Sequence, residues 1–145
     1  MTARAWGRKN MKIEVRYHSR GGNTKRLAEA VAKEMKVGAL TCDAPMEGRA
    51  DVVFLCASVY AGAPDKQVLT FVKQNARDIG KLVVLSTSAS GKSTFTRLKA
   101  AAEDMGVNVC EAYFHCPGAF MFLHKNRPND EDCKNAAAFA RAQLG

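Results

Sequence analysis

The stretch Lys12-Ile13-Glu14-Val15-Arg16-Tyr17-His18-Ser19-Arg20-Gly21-Gly22-Asn23-Thr24 decides the fold of this chain. Its first half, Lys12 to Tyr17, alternates charge with bulk and so places Ile13, Val15 and Tyr17 on one face of a strand whose other face is polar. An edge position is the simplest home for a strand with one wet side. Beyond the glycines the period changes. Leu27, Val31 and Met35 recur every four residues with Ala28 beside them, the apolar stripe of a helix from about Asn23 to Lys36. Its outer face carries Lys25, Arg26, Glu29, Lys33 and Glu34, and Gly38 is expected to end it. A strand, a glycine turn and a helix in that order open a βα unit.

The same alternation continues to the C-terminus. Ala39 to Cys42 reads as a short strand, and Ala50 to Ala57 is the most apolar run in the chain, as a central parallel strand covered on both faces requires. A helix from Asp65 to Asn75 presents Val68, Leu69 and Val72 inward, with Pro64 suited to its entrance. Lys81 to Leu85 forms another buried strand; Phe95, Leu98, Ala102 and Met105 then mark a third helix that Gly106 stops. Val107 to Phe114 is the last strand. After an irregular segment, His115 to Pro128, a final helix from Asn129 to Leu144 turns Cys133, Ala137, Ala140 and Leu144 inward, and Asp130, Glu131 and Asp132 complement its positive end. Five strands alternating with four helices through short connections pair in parallel with right-handed crossovers. The fold class is therefore α/β, an open three-layer sandwich that binds ligands beyond the carboxyl ends of its strands.

The bulk properties agree. The 145 residues suit one domain, read as 11–145 behind a flexible leader at 1–10, and 47% apolar with 25% charged residues is the composition of a folded soluble protein. No run reaches the length of a membrane span, and the basic first ten residues lack the apolar segment of a secretory signal, so the expected location is cytoplasmic, with no membrane partner. Cys42, Cys56, Cys110, Cys116 and Cys133 are odd in number and contain no C-x-x-C pair, the pattern of reduced thiols. Cys56 and Cys110 sit in apolar runs as small hydrophobes. The net charge of +8 favours anionic partners, but the basic residues are dispersed and no nucleic-acid-reading motif is present, so no nucleic acid is expected.

Three loops of unusual composition leave carboxyl ends of strands: His18 to Thr24, Ser58 to Gly62 and Ser86 to Gly91. In the first, adjacent glycines allow a tight turn, and Ser19, Asn23 and Thr24 bring polar side chains to the point where helical N–H groups lack partners. Such a turn either receives an anionic oxygen cluster or is simply an N-capped helix. Its seven residues hold no apolar anchor, which weights the anion reading, and Arg20 either adds a positive charge or faces solvent. The segment Ser88 to Thr94 ends in G-K-S-T, yet Ser86 stands where the first glycine of the nucleotide-binding G-x-x-x-x-G-K-[ST] loop falls, so ATP or GTP hydrolysis is not expected.

The block Val15-x-Tyr17-x-Ser19-x-Gly21-Gly22-Asn23-Thr24-x-x-Leu27-Ala28 resembles the phosphate loop of flavodoxins and flavodoxin-like FMN proteins. Asp51 to Pro64, with Ser58, Tyr60 and Gly62, is similar to the segment entering their second flavin loop. The resemblance implies a flavodoxin-like sheet ordered 2-1-3-4-5 and bound FMN. It would set Ser19, Arg20, Gly21, Gly22, Asn23 and Thr24 around the phosphate, and Ser58, Val59, Tyr60, Ala61 and Gly62 along one side of the ring. Ser86, Thr87, Ser88, Ala89, Ser90 and Gly91 would flank the other side. It implies an electron-transfer flavoprotein, a small FMN-dependent NAD(P)H reductase, or a domain of this fold with weak or no flavin binding. The partner would be a redox protein or a small-molecule acceptor, and the assembly a monomer or homodimer. No residue is assigned a catalytic role and no metal is expected. Gly21 stands where the family commonly has Thr, and the third loop lacks an aromatic; Phe120 and Phe122 either supply that apolar cover or anchor a long loop. His18 and His115 are the titratable groups expected near the site.

Overall fold

The computed structural model describes residues 11–18, 22–60, 63–88, 95–117 and 128–144. The expected leader at 1–10, and Phe120 and Phe122, lie outside the described residues. Five parallel strands, β1 (Ile13–His18), β2 (Ala39–Thr41), β3 (Val52–Tyr60), β4 (Leu82–Ser88) and β5 (Val109–Pro117), form a sheet in the order β2-β1-β3-β4-β5. This is the 2-1-3-4-5 order, and a two-residue strand, Ala63–Pro64, folds back antiparallel on the end of β3. The helices are α1 (Asn23–Met35), α2 (Lys66–Asn75), α3 (Phe95–Asp104) and α4 (Asp130–Ala142).

The sheet separates two apolar layers. Leu27, Ala28 and Val31 of α1, with Ala136 and Ala140 of α4, pack on Val52, Phe54 and Cys56 of β3 and Val83 and Leu85 of β4. On the other side Val68, Phe71 and Val72 of α2 and Leu98 and Ala102 of α3 meet Val53, Leu55 and Ala57, with Leu82 and Val84. The unbroken apolar run of β3 is thus divided residue by residue between the two layers, as period-two side chains demand. None of the described helices is long and apolar enough to cross a membrane.

The first strand is not at an edge. β1 pairs with both β2 and β3, Val15 standing opposite Ala39 on one side and Phe54 on the other. Its polar face is buried rather than wet: Arg16 is 1% exposed beneath α2, with its guanidinium carbon 5.5 Å from the Phe71 ring centre. The guanidinium pairs with Glu14 at 2.8 Å and donates to the carbonyls of Thr41, at 3.1 Å, Pro45, at 3.3 Å, and Ala44. Alternating charge here records an internal ion pair that fastens the turn after β2, because a charge can be buried when its partners accept every hydrogen it offers. The edge is β2 itself, where Leu40 is half exposed.

Other local expectations shift by a residue or two, for identifiable reasons. α1 ends on Lys36, which takes the left-handed conformation (φ 60°) while Val37 N–H returns to the Ala32 carbonyl, so Gly38 comes too late to be the stop. Gly106 (φ 87°) does end α3. In α2 the inward set is Val68, Phe71, Val72 and Asn75, with Leu69 only partly covered. In α4 it is Asp132, Ala136 and Ala140 rather than Cys133 and Ala137. A reciprocal cap, Asn129 accepting from the Asp132 N–H and the Asp132 carboxylate from the Asn129 N–H, fixes that helix's rotation.

Cys56 is fully buried between the layers and its thiol is pushed upward, chiefly by burial. Cys42 is pushed up to about 12, again chiefly by burial, against the opposing pull of Arg16. Cys110 is only half buried, its thiol donating to Gln143 Oε1 at 3.5 Å.

These contacts set two measurable outcomes. Arg16→Ala strands the Glu14 carboxylate and the Thr41, Ala44 and Pro45 carbonyls, and should cost about 3 kcal/mol by urea unfolding; a loss under about 1 kcal/mol would show that the buried pair contributes little net stability. For Cys42, the folded thiol keeps its proton up to about 12 while the unfolded one releases it near 9.0. Its contribution is therefore whole below the lower value and lost across that window, and the alkaline fall in thermal midpoint should be shallower in Cys42→Ala.

Candidate functional site

Because the five strands are parallel, their carboxyl ends share one edge of the sheet. At that edge neighbouring strands part company: β1 leads to α1 on one face and β3 to α2 on the other. A crevice opens between diverging connections of this kind.

α1 begins from Gly22, whose φ of 89° and ψ of −10° lie in the left-handed region. A Cβ there would meet nothing within 4 Å, so glycine is required by conformation and not by crowding. Among the described residues no side chain caps this helix, and its first turn holds Lys25 and Arg26 and no acid. The contrast with its neighbours is sharp: Asp65 caps α2 by accepting from Gln67 N–H at 3.2 Å, and Asn129 caps α4 behind Asp130, Glu131 and Asp132. Among the described residues the first turn of α1 carries two bases and no acid of its own, and a helix N-terminus of that composition suits an anion.

Hydroxyls gather beside it. Thr24 is fully buried, with Oγ1 3.2 Å from Thr87 Oγ1 on β4. Sheet register sets Ser58 beside Thr87, and Thr87 beside Cys116, on the α1 side. The Ser58 Oγ is itself buried and has no hydrogen-bond partner among the described residues. A buried hydroxyl without a partner is costly unless something else satisfies it, so this atom fits a site that receives a polar ligand.

One level lower and on the opposite face, the ladder aligns His18, Ala57, Ser86 and His115. Ser86 Oγ lies 2.6 Å from His115 Nδ1, and His18 Nε2 lies 3.4 Å from Asp65 Oδ2. Both histidines belong to strands rather than following them.

Of the residues expected at the site, Gly22, Asn23 and Thr24 stand together at the start of α1, and the ends of β3 and β4 carry Ser58, Val59 and Tyr60 and Ser86, Thr87 and Ser88. These last six were expected in loops; they continue the strands, β3 to Tyr60 and β4 to Ser88, since polar residues complete ladder hydrogen bonds as well as apolar ones. Ser19, Arg20, Gly21, Ala61, Gly62, Ala89, Ser90 and Gly91 lie outside the described residues. Asp65 was read only as the start of a helix; an Asp between a proline and an apolar run was the signal for its capping role. The ring stack of Phe95 on half-exposed Tyr113, centroids 4.2 Å apart, had no local sequence signal at all.

Comparison with known proteins gives concordant results. The family model described as a flavodoxin domain matches residues 15–105. An uncharacterized protein of Methanocaldococcus jannaschii is 28% identical over 136 residues, covering 84% of this chain and 90% of its own. Among solved structures, the WrbA-like flavodoxin of Agrobacterium tumefaciens superposes with a TM-score of 0.69 at 22% identity, over 93% of this chain and 96% of its own. A flavoprotein of Lactobacillus acidophilus, solved in complex with FMN, gives 0.61 at 18%, over 72% and 93% respectively.

The turn geometry sets a test with an internal control. Gly22→Ala should lower stability by about 1 kcal/mol, because an L side chain must enter the left-handed region. Gly38→Ala, with open space and an ordinary φ, should be close to neutral in the same urea titration.

Proposed function

Since the chain belongs to the flavodoxin-domain family, we propose that it is an electron-transfer flavoprotein that holds FMN at the carboxyl edge of its sheet. The observation that carries this reading is the buried Ser58 hydroxyl, without a partner among the described residues, set with Thr24 and Thr87 at a helix start entered through left-handed Gly22. In that arrangement Ser19, Arg20, Gly21, Gly22, Asn23 and Thr24 hold the phosphate, with backbone N–H groups and the helix dipole meeting its charge. Thr87 keeps the Thr24 hydroxyl in place, since the two oxygens are within hydrogen-bond distance inside the core.

The remaining loops orient the ring. Ser58, Val59, Tyr60, Ala61 and Gly62 bound one side, and Ala63–Pro64 pairs back antiparallel on the end of β3. Ser86, Thr87, Ser88, Ala89, Ser90 and Gly91 bound the other, and Ser86 is held from the neighbouring strand by His115. FMN bound there supplies the redox chemistry, while the protein sets its position and surroundings. The net charge of +8 suits a redox partner with an acidic face, because complementary charge speeds encounter and selects partners.

Purification is the direct test. The protein should carry flavin absorption, or gain it on dialysis against FMN, and acid release should yield FMN. The double variant Ser19→Ala, Thr24→Ala should bind it about tenfold or more weakly, the scale of hydrogen bonds to a charged group. Reduced protein that passes electrons to an acidic carrier without oxidising NADH or NADPH directly supports the carrier role. A colourless protein that takes up no FMN refutes the reading.

A further inference from the structure

We infer that His18 is a positioning residue for the cofactor, clasping Asp65 so that the chain entering the first loop is tied to the chain leaving the second. The inference rests on the FMN reading above. His18 is the last residue of β1, directly before the phosphate turn, and Asp65 is the N-cap of α2, directly after the second loop and its return strand. One contact therefore joins the two segments that bound the crevice from opposite faces of the sheet.

The chemistry of the pair is unequal. Asp65 has a side chain 1% exposed; one of its oxygens accepts the Gln67 N–H at 3.2 Å and the other lies 3.4 Å from His18 Nε2. The imidazole is 19% exposed and so stays within reach of solvent protons. A buried carboxylate is costly unless its charge is met, and a capping role by itself would be served as well by Ser, Thr or Asn. What Asp adds over those residues is a charge, and His18 Nε2 lies within ion-pair distance of it. Ala57 is His18's neighbour across the ladder, a single methyl group where a larger side chain would crowd the ring.

Protonation then decides the strength of the clasp. An imidazolium makes an ion pair with Asp65, whereas the neutral ring offers at most one hydrogen bond, and histidine changes charge between about pH 5 and pH 8. The other charged or titratable groups on this side are Glu14 and Arg16 on the same strand face, already paired with each other, His115 on the same ladder level with its Nδ1 2.6 Å from Ser86 Oγ, Cys42 and Asp43 on the turn after β2, and Lys66 next to Asp65. Among the described residues, Asp65 is the one within ion-pair distance of the His18 ring. A ligand seated between the two loops binds best to the arrangement that the clasp favours, so its affinity follows the charge of His18.

The experiment measures FMN dissociation constants for the parent, His18→Phe, His18→Gln, Asp65→Asn and the double variant His18→Phe, Asp65→Asn, near pH 6 and near pH 8. Taking the ratio of variant to parent at each pH cancels the titration of FMN's own phosphate. His18→Phe should weaken binding about fivefold at the lower pH, Asp65→Asn should do the same, and the double variant should lose no more than either. His18→Gln keeps an N–H donor, so it should match the parent at the higher pH and fall behind it at the lower. Should His18→Phe fail to fold, the pH dependence of the Gln ratio decides alone. Ratios near one at both pH values in a parent that binds FMN overturn the clasp and leave the FMN reading intact; a parent that binds no FMN overturns both.

Discussion

Two adjacent parallel strands, β1 and β3, send their chains to opposite faces of one sheet, and every feature of the site depends on that divergence. Parallel pairing forbids a hairpin, so each strand must be followed by a crossover, and the right-handed rule then fixes which face receives α1 and which α2. Where two such crossovers part, a crevice is the general consequence at the carboxyl edge of the sheet. The central strands can end there because their other surfaces are already buried in two independent apolar layers.

That geometry explains why the polar groups are distributed as they are. On the α1 side the ladder carries Ser58 and Thr87, with Thr87 bonded to Thr24, a group of hydroxyls at the start of α1. On the α2 side it carries His18, Ser86 and His115, each histidine held by a polar neighbour. Period two assigns consecutive residues to different chemistry: Ala57 and Ser58, or Ser86 and Thr87, are neighbours in the chain and face opposite sides of the sheet. A register slip of one residue would exchange the two sets.

The sequence made the architecture readable because the two strongest signals agreed: a double-sided apolar run at β3 and amphipathic helices between strands. The first strand misled, since Glu14 and Arg16 alternate as surface residues do, and only the fold reveals that the turn after β2 and Phe71 enclose them. The end of α1 was misplaced because its capping at Lys36 is made by backbone conformation rather than residue type, whereas the last helix begins at Asn129 as expected. Glycine and hydroxyl content singled out the three loops at the carboxyl ends of the strands as the candidate site. Pairings across long sequence separations, Thr24 with Thr87, Ser86 with His115 and His18 with Asp65, have no local signature, because they are set by strand order and register.

The central claim is that the start of α1 holds the phosphate of a flavin nucleotide. Titration of the flavin-free protein with FMN and with riboflavin, which lacks only that phosphate, tests it most directly. FMN should bind about a hundredfold more tightly or better, the difference two charge-assisted hydrogen bonds make. Equal affinity for the two flavins would contradict the account.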